Sequence, residues 1–396
     1  MTGQGTPADG HIEEATNGAQ AITGVPTSIT AFIGRALAGP VATDEAGGAE
    51  VVYNFADYER LFGGLSHDAP MSYAVQDFFL NGGSQAVIAR LRSTDDQPLT
   101  PQDYVNAFEN DVLKSVDIFN LLCVPPDNVE APADTAPVVW SWAAAYCVQR
   151  RAMVIVDSPV AWTDNARRGN FGADYMDTTK LGIEGDNARN AAVYFPRVIE
   201  ADALTKGSPA SFAPCGIIAG IIASNDAARG VWKAPAGIGA GLNGIVELEV
   251  NLTDDQSGVL NPLGINCLRS FPVIGPVIWG ARTLRGADQF ADDYKYINVR
   301  RLALYIEESI YRGTEWAAFE PNAEPLWSSL RLAANAFLTE LQQQGAFYYF
   351  SVNCDDTTTT PDDIAQGIVN IIITVAPVTP GEVIVIQIQQ PTAQPG

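Results

Sequence analysis

An α/β unit followed by an α+β unit is the fold class this sequence predicts, and three observations carry the prediction. From residue 31 to about residue 230, helical periodicity closed by glycine alternates with short apolar runs, the pattern of strands wrapped by helices. From Val231 the texture changes to alternating strands and two long amphipathic helices. The chain then ends on a β-branched run, residues 383–388, behind the hinge Ala376-Pro377-Val378-Thr379-Pro380.

Taken in order, residues 1–10 are small and polar and read as an arm, with residues 11–14 as a short strand. Residues 22–33 follow with apolar alternation through Val25, Ile29, Ala31 and Ile33, closed by Gly34. Residues 55–62 form a helix stopped by Gly63-Gly64, and residues 71–80 a second, with Tyr73, Ala74, Val75, Phe78 and Phe79 on a wide apolar face and Asn81-Gly82-Gly83 as its stop. A buried strand at 86–89, a helix at 104–113, a strand at 118–124, a helix at 138–151 and a strand at 152–156 continue the alternation. A strand at 191–194 and a small-residue helix at 217–224 complete the first unit.

In the second unit, residues 245–250 alternate as a half-buried strand, and residues 273–279 form an apolar strand interrupted by Pro276. The helix at 296–311 carries Val299, Leu302, Ala303, Ile306 and Ile310 on one face. The helix at 325–344 opens on Pro325 and stops at Gly345, with the stripe Leu326, Leu330, Ala333, Phe337 and Leu341. Strands at 347–352 and 367–375 precede the hinge. The boundaries are an N-terminal arm at 1–20, an α/β domain at 21–240, an α+β domain at 241–376 and a C-terminal arm at 377–396.

The terminal run is apolar on both faces, so it belongs inside a sheet, and its open backbone edge must be covered. Either it folds back onto its own domain or it joins a neighbour's sheet.

Composition limits the function. The 396 residues are 47% hydrophobic and 17% charged, as expected of a folded protein with full cores. The balance of 46 acidic against 23 basic residues, net −23, repels phosphate, which argues against nucleic acid and anionic membranes as partners. Five scattered cysteines without a CxxC pair read as buried hydrophobes in a reducing compartment. The N-terminus carries no pattern of a secretion signal, and the longest apolar runs, such as 217–223, are too short to span a bilayer; synthesis in the cytosol is expected.

No constellation calls for catalysis, a metal or a cofactor. Gly239-Ala240-Gly241-Leu242-Asn243-Gly244 matches GxGxxG, but Ala234-Pro235-Ala236 stands where a strand should precede it, and a strand follows where a helix should, so a turn is the better reading. The acidic loop Asp355-Asp356 to Asp362-Asp363 lacks the glycine and closing glutamate of a calcium loop and reads as solvated surface. His11 and His67, the two histidines, have no nucleophile at a recognisable spacing.

The runs Val277-Ile278-Trp279-Gly280-Ala281-Arg282-Thr283-Leu284, Tyr296-Ile297-Asn298-Val299-Arg300-Arg301-Leu302 and Phe319-Glu320-Pro321-Asn322 before Leu326-Trp327 closely resemble the sheath proteins of contractile phage tails and tail-like injection systems. Ile22-Thr23-Gly24-Val25-Pro26-Thr27-Ser28, Phe78-Phe79-Leu80-Asn81-Gly82-Gly83, Arg229-Gly230-Val231-Trp232-Lys233-Ala234-Pro235 and Leu260-Asn261-Pro262-Leu263-Gly264-Ile265-Asn266 resemble further signatures of that family, in its order.

The resemblance implies a structural subunit, not an enzyme, that stacks with copies of itself as hexameric rings around an inner tube and contracts to drive the tube through an envelope. Baseplate and terminal cap proteins would be further partners, with no nucleic acid and no membrane insertion. The α/β domain would lie outside and the α+β domain would face the tube. Both arms would donate strands to neighbouring subunits through Val383, Ile384, Val385, Ile386 and Ile388 at one end and Ile12 and Glu13 at the other. Arg331, Asn335 and Glu340 on the long helix are the candidate tube contacts. Assembly in the bacterial cytoplasm, within a virion or a releasable phage tail-like particle, follows from the same resemblance. A non-contractile tubular assembly is the competing expectation, and an enzyme with an unrecognised site a distant third.

Overall fold

A computed structural model describes residues 21–42, 48–92, 98–127, 134–378 and 384–392. Its largest element is an eight-stranded sheet in the order β11-β10-β6-β5-β4-β1-β3-β2. The strands are β1 (Thr30–Gly34), β2 (Glu50–Val52), β3 (Ala86–Arg90), β4 (Leu121–Cys123), β5 (Met153–Asp157), β6 (Ala191–Phe195), β10 (Ile265–Phe271) and β11 (Gly275–Ile278). The six inner strands are parallel, and β2 and β11 close the two edges antiparallel.

Both faces of this sheet are covered, and for that reason its strands read as unbroken apolar runs. Side chains of β5 alternate: Val154 and Val156 enter one core with α3 (Pro101–Glu109) and α4 (Pro137–Gln149), while Met153 and Ile155 enter the other with α2 (Met71–Leu80) and α6 (Cys215–Arg229). The small residues of α6 let it lie close on α2: a Cβ on Gly216 would overlap the Ala74 carbonyl. Shorter helices α1 (Phe55–Phe62), α5 (Val160–Arg167) and α7 (Asp254–Leu260) fill the margins.

Two small antiparallel sheets complete the fold. One has the order β8-β7-β9, from β7 (Val198–Asp202), β8 (Ser208–Phe212) and β9 (Ile245–Leu248). The other has the order β12-β13-β14, from β12 (Phe347–Asn353), β13 (Ile368–Pro377) and β14 (Ile384–Pro391). It shares a separate core with α8 (Ile297–Gly313) and α9 (Glu324–Gln343), and α10 (Pro361–Ala365) precedes β13.

Several expectations shift. β10 and β11 lie beyond residue 240, yet both pair into the first sheet, so the α/β layer runs to Ile278. β10 escapes sequence reading because Asn266 breaks its apolar run. That side chain is fully buried but satisfied, donating to Val193 O (3.1 Å) and Arg282 O (2.7 Å) and accepting from Arg282 N (2.7 Å). β8 (SPASF) has no apolar alternation and exists through its pairing with β7. The helix expected at 104–113 starts at Pro101, where Thr100 and Asp103 form a capping box.

Candidate assembly site

The terminal strand is the first candidate. β14 pairs antiparallel with β13 of the same chain over eight positions, including Ile371 opposite Ile388, Ile373 opposite Ile386 and Thr374 opposite Val385. The expected donation to a neighbour is therefore not the arrangement found in the single chain, which takes the other alternative, folding back. The expected two apolar faces also give way to one. Ile386 and Ile388 are buried against α8 and its core, while Val385 is 60% exposed and Gln387 and Gln389 point the same way. Those two glutamines both donate to Asn370 Oδ1 at 3.1 Å, and Gln390 Nε2 reaches Tyr311 O at 2.6 Å, so the strand is fixed by polar contacts on both sides. Burial of each isoleucine is worth about 2 kcal/mol, which explains why an isolated chain keeps its own strand. Val383, Ile12 and Glu13 lie outside the described residues; Ile384 opens β14 opposite Val375.

Among the described residues β14 sits at the sheet edge with no strand on its outer side. Beside it a cleft of about 500 Å³ is lined by Arg151, Glu307, Gln387, Ile388 and Gln389. At the other end of the chain, residues 21–29 cross the seam between the large sheet and the α8–α9 core. Ile22 is buried in that core, Val25 N donates to Ser309 Oγ (3.2 Å), and Asn120 Nδ2 donates to Pro26 O (2.9 Å). Arg301 Nη2 donates to Thr27 O (2.7 Å), and Asn120 Oδ1 accepts from Ile29 N (3.0 Å). Gly24 lets the Tyr305 hydroxyl lie against the strap, since a Cβ there would push that side chain aside. The sequence marks residues 22–28 as a family signature, but their role as a strap is not legible in it, since the polar anchors lie far away along the chain.

The candidate tube contacts do not form one patch. At about 100° per residue, Arg331 and Glu340 fall on opposite borders of the exposed face of α9. Arg331 is turned back onto the protein, pairing with Glu324 Oε1 at 2.5 Å and donating to Cys354 O. Its side chain raises its own affinity for a proton through Glu324 and holds the Glu324 carboxyl below the usual range. Asn335 Nδ2 donates to Arg331 O at 2.7 Å, and Glu340 is exposed, accepting from Gln344 at 3.2 Å. Leu332, between them, is 60% exposed.

The remaining sequence motifs take structural roles. The 239–244 loop runs beside β11, with Leu242 N donating to Pro276 O (2.9 Å) and Gly244 at φ 89°. Asp355 and Asp363 are local turn and cap acceptors for Thr357 N and Thr360 N, each at 2.9 Å. Among the described residues no group of three metal-ligating side chains is assembled, no helix is long and apolar enough to cross a membrane, and all five cysteines are free and buried.

Residues 98–284 match the phage tail sheath protein central domain, and residues 291–390 match the phage tail sheath C-terminal domain. The helical sheath of the anti-feeding prophage in its contracted state superposes with a TM-score of 0.71 at 29% identity, covering 96% of this chain and 98% of that one. The sheath complex of an extracellular contractile injection system, PVC, in its contracted state gives 0.68 at 25%, covering 97% of each. The tail sheath protein of Vibrio phage KVP40 is 36% identical over 143 residues, which is 36% of this chain and 21% of that one. The matched stretches span between 21% and 52% of the curated relatives' lengths. With both sheath domains matched in order and the fold shared along almost its whole length, the chain belongs to the phage tail sheath family.

Proposed function

We propose that this protein is the structural subunit of a contractile sheath: it polymerises with itself as stacked hexameric rings around an inner tube and shortens to drive that tube through a target envelope. The observation that carries the reading is the near-complete, end-to-end likeness to the contracted helical sheath of the anti-feeding prophage. The inner tube protein, a baseplate and a terminal cap are the partners, and a virion or phage tail-like particle assembled in the bacterial cytoplasm is the setting.

In the assembled sheath the β14 position is filled in trans, by the strand of a neighbouring subunit reached through the hinge Ala376-Pro377-Val378-Thr379-Pro380. A swapped strand makes the same contacts as the resident one, so the exchange is nearly neutral in contact energy and is decided by hinge geometry and subunit concentration. The N-terminal strand through Ile12 and Glu13 lies at the same joint, and α9 with Asn335, Glu340 and the Arg331 border turns toward the tube. Acidic subunit surfaces suit contacts that break and re-form without exposing large apolar patches.

Negative-stain microscopy of the purified chain tests the reading. Hollow helical tubes in two lengths support it; tubes of one fixed length indicate a static assembly, and a monomer persisting at high concentration rules out both.

A further inference from the structure

The seam between α2 and β7 is built as two polar rungs. Tyr73 and Asp77 lie four residues apart on α2, hence on one face; Glu200 and Asp202 lie two apart on β7, hence on one side of the strand. In the first rung Tyr73 donates to Asp202 Oδ1 at 2.7 Å, and His67 Nε2 lies 2.6 Å from Asp202 Oδ2. Burial pushes the Asp202 carboxyl up, but hydrogen bonds from Tyr73, Leu204 N–H and His67 outweigh it and leave it below the ordinary range. This rung is stable with an ionised carboxylate.

The second rung has no such support. Asp77 is 4% and Glu200 8% exposed, and because Tyr73, one turn before Asp77, touches Asp202, two residues after Glu200, the spacing sets the two buried carboxyls side by side within reach of a shared hydrogen bond. Glu200 Oε1 has no further partner among the described residues. Two carboxylates cannot hydrogen-bond without a proton between them, and two buried like charges at contact repel strongly. The charged groups around the pair offer no compensation. Asp202 adds to the negative charge. His67 is committed to Asp202. Arg197, lining the same small cavity as Asp77, is paired with Asp134 at 2.9 Å. That cavity, about 20 Å³, reaches Asp77 but not Glu200 and has room for about one water.

We propose that Asp77 and Glu200 share one proton at neutral pH and act as a pH-sensitive latch, clamping the β8-β7-β9 sheet onto α2 and releasing it when the proton is lost at alkaline pH. Burial, the largest cause for both groups, and the Asp77–Glu200 contact together raise the pair, most strongly at Glu200. The folded state therefore holds a proton that the unfolded or opened state gives up in the ordinary carboxylate range near pH 4. The stabilisation is complete below that range and is lost as pH rises into the alkaline range. β5 lies in the interior of the eight-stranded sheet, and its Val154 and Val156 enter the opposite core, which holds no part of the pair, so that sheet stays closed when the small sheet opens.

Hydrogen exchange read by mass spectrometry on the full chain tests this. Corrected for the intrinsic rise in exchange rate with pH, amide protection in β7 and β8 should fall from about pH 5 upward, at a limiting slope of about tenfold per pH unit for one proton, and level off in the alkaline range, while β5 stays protected. In Glu200→Gln and Asp77→Asn, where an amide donates the hydrogen bond permanently, protection should be independent of pH; either variant alone suffices if the other does not fold. A flat wild-type profile, or variants that lose protection in parallel with wild type, would overturn the latch.

Discussion

Arg301 and Asp226 meet in a bidentate ion pair. Nη1 donates to Oδ1 at 2.8 Å and Nη2 to Oδ2 at 2.6 Å, and the two side chains are only 4% and 2% exposed. The same Nη2 also holds Thr27 O, so this one guanidinium ties α6, α8 and the N-terminal strap together. Arg301→Leu would leave a buried carboxylate unpaired and free the strap, which should cost about 3–5 kcal/mol. Urea unfolding reads that loss. Pairing it with Asp226→Leu should recover much of the stability, because the orphan charge is then gone; a double variant no better than Arg301→Leu would contradict this account.

Val273 is a second local exception. It sits at the tip of the β10–β11 hairpin with φ at 75°, a left-handed conformation that β-branched side chains disfavour, and it is fully exposed, so no burial repays the strain. Val273→Gly should raise stability by about 1 kcal/mol, an upward shift in thermal midpoint. An unchanged or lowered midpoint would mean the valine makes a contact in the protein that the hairpin geometry does not reveal.

Thr100 gives a third. Its hydroxyl accepts from Asp103 N and the Asp103 carboxylate accepts from Thr100 N at 2.7 Å, the reciprocal pair that starts α3. Thr100→Ala should cost about 1 kcal/mol in chemical denaturation, whereas Gln102→Ala two residues on, at an exposed contact to Asn106, should change stability by less than about 0.5 kcal/mol.

How far the sequence was legible follows from where each partner lies. α9 was readable because its stripe from Leu326 to Leu341 repeats within the helix itself, and the structure places Glu324–Gln343 there. The Thr100-to-Asp103 signal is equally local, and it sets the start of α3 ahead of the apolar residues that follow it. β10 and β8 were not readable, since Asn266 is satisfied by residues 73 and 16 positions away and SPASF is a strand through its partner alone. The same holds for the assembly site. The existence of β14 is written in residues 384–388, but which edge covers it depends on a contact that no local pattern encodes, and the Asp77–Glu200 rung joins segments with no shared motif.

The occupancy of that edge can be measured directly. Thr374 and Val385 are register partners on the side of the small sheet away from the helices, and Val385 is exposed, so cysteines at both positions are placed to bond across β13 and β14. In Thr374→Cys/Val385→Cys, oxidation of the dilute chain should give an intramolecular link and a monomer band on a non-reducing gel, as the five native cysteines are buried. Oxidation after assembly should instead give a ladder of covalent oligomers, the signature of a strand supplied by a neighbour. Ile386→Asp, which puts a charge at a 2% exposed position, should cost more than about 3 kcal/mol in the isolated chain and abolish the ladder. A monomer band from fully assembled particles would show that each subunit keeps its own strand, and the joint between subunits would then have to be carried by side-chain contacts instead of a shared sheet.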